Sequence, residues 1–166
     1  MITLEKITEN NLSDVLQLKV ADNQAHHVDA GGTAVAISFA FAWLNEGKEV
    51  SAFAIEKDGE VIGLAIYYLE LIDFGEEEFH NLPFYNDKVV WFDYFIIDEK
   101  HQGNGYGRVA FAKLLQQIEE QHSETEYIMI RYSEDNEVAR KLYNSAGFDE
   151  LFTLEQASYA TYKLRK

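Results

Sequence analysis

Cysteine is absent from the 166 residues, and proline occurs once, at Pro83. Without a thiol there is no disulfide, no thiolate metal centre and no cysteine nucleophile, so any group transfer must be direct or use another residue. Positive charge is also scarce: 14 Lys and Arg stand against 29 Asp and Glu, a formal net charge of −15. Nothing in that balance neutralises the phosphates of a nucleic acid, so no nucleic-acid partner is expected, whereas a cationic partner is easily accommodated. The same charge also serves plain solubility. Long apolar runs are missing too. No stretch approaches the ~20 residues of a membrane span, and Met1-Ile2-Thr3-Leu4-Glu5-Lys6 lacks the basic start of a leader, so a cytoplasmic protein with no membrane partner is expected.

What remains is a chain with 47% hydrophobic residues, enough for one core, and a single domain over residues 1–166 is expected. Ile2 to Thr8 suits a strand, and Asn11 to Ala21 carries Leu12, Val15, Leu16 and Leu18 at helical intervals. Gly31-Gly32-Thr33 breaks the chain before Ala34 to Asn45, whose apolar alternation would fit a strand but whose alanines favour a helix. Asp58-Gly59 between two apolar runs, Ser51 to Lys57 and Glu60 to Leu71, predicts a hairpin, because both turn positions need positive φ. Residues 72–88 hold Asp73, Glu76, Glu77, Glu78 and Pro83 and read as an irregular acidic excursion. Val89 to Ile97 is a β-branched and aromatic strand. A glycine-rich turn and a helix to about Gln121 come next. Tyr127 to Tyr132 is a strand, Glu137 to Ala146 a helix stopped by Gly147, and Phe148 to Leu154 with Tyr159 to Leu164 close the sheet.

The turn Gln102-Gly103-Asn104-Gly105-Tyr106-Gly107-Arg108 joins a strand to a helix, so unpaired N–H groups and the positive end of a helix dipole converge there. Such a place binds anions, phosphate above all, and its glycines let a ligand approach the main chain. A nucleotide-triphosphate loop is excluded, since no lysine and hydroxyl pair follows the last glycine. Gly105-x-Gly107-x-x-Ala110 matches the dinucleotide fingerprint formally, but it begins too far beyond the strand and too little chain remains for a doubly wound sheet.

Gln102-x-x-Gly105-x-Gly107 resembles the signature of the GNAT acetyltransferase superfamily, Arg/Gln-x-x-Gly-x-Gly/Ala. Asp93-Tyr94-Phe95-Ile96-Ile97-Asp98-Glu99 is similar to that family's splayed fourth strand, and Asn136-x-x-Ala139-x-x-Leu142-Tyr143-x-x-x-Gly147-Phe148 to its second motif. The resemblance covers residues 51–164 best. It implies an α/β (α+β) fold: a central mixed, mostly antiparallel sheet of about seven strands with four helices, splayed between strands 4 and 5. The implied cofactor is acetyl-coenzyme A, the acetyl donor. Phe95, Ile96 and Ile97 would run beside its pantetheine arm. The N–H groups of Gly103, Gly105, Gly107 and Arg108, with Gln102, Asn104 and Tyr106 around them, would hold the pyrophosphate. Asn136 and Ala139 would flank the thioester, and Tyr143 would protonate the thiolate. Positions 136 and 143 return within about 20° of each other on a helix. The same spacing suits Asn136 as a plain helix cap and Tyr143 as a core residue.

Since an alkylamine has a pKa of about 10, a base is required, and Asp93 is the candidate on the splayed strand. The chain looks most like bacterial diamine and polyamine acetyltransferases, which implies a small primary amine as substrate and a homodimer. Glu70, Asp73, Glu76, Glu77 and Glu78 would attract a polycation, and Tyr67, Tyr68, Phe84, Tyr85 and Trp91 would line an amine tunnel; equally, aromatics build strands and acidic runs face solvent. His27 and Asp29, between the first two helices, would touch substrate together with Trp91 and Asp93, or line a dimer contact. No metal is expected, since adjacent histidines such as His26 and His27 point apart on regular elements. Two other functions fit the same motifs: acetylation of a peptide or protein amine, and a non-catalytic acetyl-coenzyme A sensor.

Overall fold

A computed structural model describes residues 1–28, 30–44 and 50–164, the side chains of 42 and 43 excepted; Asp29, one of the predicted substrate residues, lies outside the described set. Seven strands form one sheet in the order β1-β2-β3-β4-β5-β7-β6. They are β1 (Ile2–Lys6), β2 (Val50–Lys57), β3 (Glu60–Leu71), β4 (Lys88–Ile97), β5 (Tyr127–Ser133), β6 (Asp149–Leu154) and β7 (Ala157–Lys163). All neighbours are antiparallel except β4 and β5. The hairpin expected at Asp58-Gly59 is present, with φ of 53° and 85°, both positive as its tight turn demands.

Five α-helices occur among the described residues, one more than expected: α1 (Leu12–Leu16), α2 (Gly31–Leu44), α3 (Glu77–His80), α4 (Tyr106–Gln121) and α5 (Glu137–Ala146). The extra one is α3, a single turn inside the acidic excursion, anchored by the buried Phe79. In contrast, α1 stops five residues short of Ala21. Asp98 is the cause: its carboxylate accepts the Lys19 N–H at 2.9 Å, and the Glu99 N–H donates to the Lys19 carbonyl at 2.9 Å, which draws the chain out of its helix. α2 starts at Gly31 rather than after Thr33, because a Cβ at Gly31 would lie 2.2 Å from the Val15 carbonyl oxygen. A glycine there lets α1 and α2 touch.

The main core lies under α4 and α5. Phe111, Leu114 and Ile118 of α4 pack on Ile55, Ile62, Tyr67, Val90 and Ile128 of the sheet. Burying each such aliphatic side chain stabilises the fold by roughly 1.5–3 kcal/mol. A second cluster joins α1 and α2 to the opposite face through Val15, Leu18, Ala34 and Val35 against Leu64, Ile66 and Ile96. A third seats the acidic excursion through Ile72, Phe79 and Phe84 on Met129 and Tyr159. No helix among the described residues is long and apolar enough to cross a membrane.

Two features of β4 break the regularity of the sheet. Its parallel pairing with β5 runs only from Val90 to Phe92, so beyond that point the two strands diverge. On the other side, Phe92 and Tyr94 face consecutive residues, Tyr67 and Ile66, which leaves Asp93 as the extra residue of a β-bulge. Bulges commonly re-aim a side chain beside a functional site.

Candidate active site

Where β4 and β5 part, a cleft of about 680 Å³ opens. One wall is the half of β4 holding Phe95, Ile96 and Ile97, and the floor is the glycine turn with the start of α4. Gly105 precedes α4 in the left-handed conformation, φ 76°, and no side chain caps the helix. The first N–H groups of α4 therefore lack intrahelical partners. A Cβ added at Gly103 or Gly105 would meet nothing within 4 Å, so the space over the turn is open. Gly107 instead sits close to the strand, its Cβ position 3.5 Å from Ile97 Cγ1.

The predicted residues Gln102, Gly103, Gly105, Tyr106, Gly107, Arg108, Asn136, Ala139 and Tyr143 all line this cleft. Asn104 does not; its amide donates to the carbonyls of His101 and Gln102 and closes the turn on itself. Both amide hydrogens of Gln102 are also committed, to the Ile97 carbonyl and to Gln24 Oε1, each at 2.9 Å. Gln102 thus braces the loop against β4, and the ligand-facing donors are those of the backbone. Asn136 caps α5, accepting the Ala139 N–H at 3.0 Å, while still lining the cleft. Tyr143 is only 8% exposed, and burial pushes its hydroxyl well above the ordinary tyrosine range, with the neighbouring Tyr132 adding to the rise. It stays protonated at any physiological pH.

A second cavity of about 620 Å³ lies across β4. It shares His27, Asp93, Arg131, Tyr132 and Ser133 with the first, so the two meet at the bulge. Asp93 is half-buried, and desolvation raises its pKa; the Ser38 hydroxyl, donating to Oδ2 at 2.6 Å, acts in the opposite direction. Ser38 is fully buried on a helix that is otherwise apolar from residue 34 onward. Its isolation among the hydrophobic residues of 34–44 was a signal in the sequence, and one that periodicity alone passes over.

Among the described residues, the second cavity carries four carboxylates, Glu70, Glu76, Asp93 and Glu155, against one guanidinium, Arg131, which lies over the Tyr159 ring at 6.0 Å. Of the predicted acidic residues only Glu70 and Glu76 reach it; Asp73, Glu77 and Glu78 face solvent. Of the predicted tunnel aromatics, Tyr68 and Trp91 line it, joined by Phe74, Phe79 and Tyr159. Tyr67 and Phe84 are instead core residues, 0% and 1% exposed, and Tyr85 packs on His80. Strand alternation puts Tyr67 and Tyr68 on opposite faces, so both could not line one tunnel. Glu155 has no sequence signal at all: it comes from the turn between β6 and β7, where Glu155 and Gln156 both adopt left-handed φ, 49° and 64°, without a glycine or asparagine.

A bulged strand diverging from its parallel neighbour over an uncapped glycine-rich helix start makes a long cleft that ends on unpaired N–H donors, an arrangement suited to an extended anionic ligand. The acetyltransferase (GNAT) family model matches residues 14–148, and the chain belongs to that family. A spermine/spermidine N(1)-acetyltransferase of Bacillus subtilis (strain 168) is 29% identical over 150 residues, spanning 89% of this chain and 87% of the relative. Among solved structures, the spermidine N-acetyltransferase from Vibrio cholerae in complex with CoA and spermine aligns with a TM-score of 0.64 at 17% identity, over 98% of this chain and 95% of that one. An aminoglycoside acetyltransferase in complex with coenzyme A gives 0.69 at 19% identity, again over 98% and 95%. The fold is therefore shared by proteins named for quite different amines, and it does not by itself choose the acceptor.

Proposed function

We propose that the protein transfers an acetyl group from acetyl-coenzyme A to a primary amine of a small di- or polyamine. The residues of the first cleft suit the coenzyme: open space over Gly103 and Gly105, unpaired N–H groups at the start of α4, and the stretch of β4 from Phe95 to Ile97 that lies beyond its pairing with β5. When bound, acetyl-coenzyme A supplies an activated acetyl thioester. The N–H groups of Gly103, Gly105, Gly107 and Arg108 would hold the pyrophosphate, and the β4 edge, with Asn136 and Ala139 opposite, would align the pantetheine arm. Asp93 takes the proton of the incoming ammonium, directly or through one water, and burial suits it to that task by lifting its basicity. Tyr143 holds a proton for the leaving thiolate.

The observation that carries the acceptor class is the junction itself. A carboxylate positioned as base stands where the coenzyme cleft opens into a cavity with three further carboxylates and an aromatic lining of Tyr68, Trp91 and Tyr159. A second ammonium on the acceptor would be drawn to Glu70, Glu76 and Glu155 while its methylenes lie along the rings. The relatedness to a spermine/spermidine acetyltransferase supports the same acceptor class.

A thiol-release assay with acetyl-coenzyme A against spermidine, spermine, putrescine, a monoamine, an aminoglycoside and a lysine peptide tests this. Polyamines are expected to exceed the monoamine in kcat/KM by at least about tenfold, corresponding to about 1.4 kcal/mol from the distal charge. The double variant Glu70→Gln, Glu76→Gln should raise the polyamine KM severalfold with coenzyme affinity unchanged. Preference for the peptide or the monoamine would overturn the assignment of the acceptor, and coenzyme binding without any turnover would replace the enzyme with a sensor.

A further inference from the structure

Beside the neck between the two cavities, which His27 lines, the chain assembles three side chains able to ligate a metal. His26 and His27 lie in a turn, not on a helix or strand, so the rule that adjacent side chains point apart does not apply. Their ring centroids are 3.7 Å apart. Asp135, far along the chain and next to the cap of α5, completes the group, and one ligand atom from each of the three lies within 4.8 Å of the others. The His27 side chain is 8% exposed, and its Nδ1 is shielded from solvent without a hydrogen bond. That nitrogen stands 3.5 Å from Asp135 Oδ1.

A buried imidazole nitrogen beside a carboxylate with no hydrogen bond between them is an expensive arrangement if nothing else joins it. The separation has a simple alternative meaning. Two ligands bonded to one tetrahedral metal at about 2.1 Å each stand roughly 3.4 Å apart, close to the observed spacing. Imidazole and carboxylate together suit zinc and its neighbours rather than calcium or magnesium, which prefer an all-oxygen shell.

We propose that His26, His27 and Asp135 form a binding site for one divalent transition-metal ion of the zinc class, beside the junction where His27 lines both cavities. Three protein ligands leave a coordination position open for water or another small ligand. The ion would tie the turn after α1 to the start of α5, two segments that both border the first cleft, through His27 and Asn136.

The test uses tag-free full-length protein, stripped with chelator and dialysed against Zn2+ without coenzyme or amine. Metal content is read by atomic emission and affinity by calorimetry. One equivalent is expected at micromolar Zn2+, and Co2+ in its place should give visible absorption bands. His27→Ala, and separately the solvent-facing change Asp135→Asn, should each weaken binding by at least about tenfold, about 1.4 kcal/mol. His80→Ala and His122→Ala, which alter imidazoles elsewhere, should leave it unchanged. Circular dichroism of each variant establishes that the fold persists; if His27→Ala unfolds, Asp135→Asn carries the comparison. The proposal is overturned if the wild-type protein takes up no metal at about 100 micromolar Zn2+, or if Asp135→Asn binds as tightly as wild type.

Discussion

Replacing Gln156, which lines the second cavity, by glycine should make the protein more stable while leaving coenzyme affinity intact. Gln156 occupies the second position of the β6–β7 turn at φ 64°, a conformation that costs an ordinary L-residue roughly 1–2 kcal/mol and glycine almost nothing. Glycine loses more freedom on folding, which takes back about 0.5–1 kcal/mol. The net gain is about 0.5–1 kcal/mol. For a domain of this size each kcal/mol moves the melting temperature by roughly 2–4 °C, so a rise of about 1–4 °C is expected by scanning calorimetry. The double change Glu155→Asn with Gln156→Gly should raise it further, since asparagine tolerates the left-handed position at φ 49°. It also removes a carboxylate from the acceptor cavity, so the polyamine KM should rise about two- to fivefold, the worth of a partly exposed charge pair. Strain retained at a turn because its side chain serves the substrate would show as this split between stability and affinity. A melting temperature that falls, or does not move, in the Gln156→Gly variant refutes the reasoning.

Ser38→Ala removes a hydroxyl that favours the ionised form of Asp93, so the carboxyl pKa should rise beyond the increase that burial already gives. A charge-assisted hydrogen bond at a half-buried site is worth about 1.4 kcal/mol, so the acidic limb of kcat/KM should move to higher pH by about one unit, with the plateau above it retained. An unmoved limb would detach Asp93 from proton removal. Tyr143→Phe should lower kcat by about 100-fold with coenzyme affinity within about twofold, as befits loss of a proton donor; pre-steady-state thiol release separates the two. Gly105→Ala should weaken coenzyme binding, read by calorimetry, because φ 76° is strained for alanine by roughly 1–2 kcal/mol and the turn must shift to relieve it.

Much of the fold was legible because local chemistry and tertiary structure agree. Asp58-Gly59 could form only a tight turn, Gly147 ends α5 in the left-handed conformation at φ 96°, and the apolar face of α4 was written at helical spacing. The length of α1 was not legible, since it is set by Asp98, which lies 79 residues from its partner Lys19. The lining of the first cleft was readable, because glycine turns and helix starts are continuous in sequence. Gln102 shows the limit: its place in the motif was visible, but its use as a brace to Gln24 and Ile97 depends on contacts that no motif spells out. The acceptor side was mostly hidden. Glu155 and Arg131 line the second cavity together with Asp93, which Ser38 bonds from α2, and acidic residues such as Glu77 and Glu78 turn away.

The extra residue in β4 has one more consequence. It divides a single strand into two stretches whose backbones answer to different neighbours: Val90 to Phe92 is held between β3 and β5, while Tyr94 to Ile97 is held by β3 alone. The stretch of β4 that lines the first cleft can therefore keep its backbone partners while the loops that line the second cavity change. A lineage could exchange one amine for another by altering residues 72–87 and 155–156, with the chemistry at the hinge of the strand left as it stands.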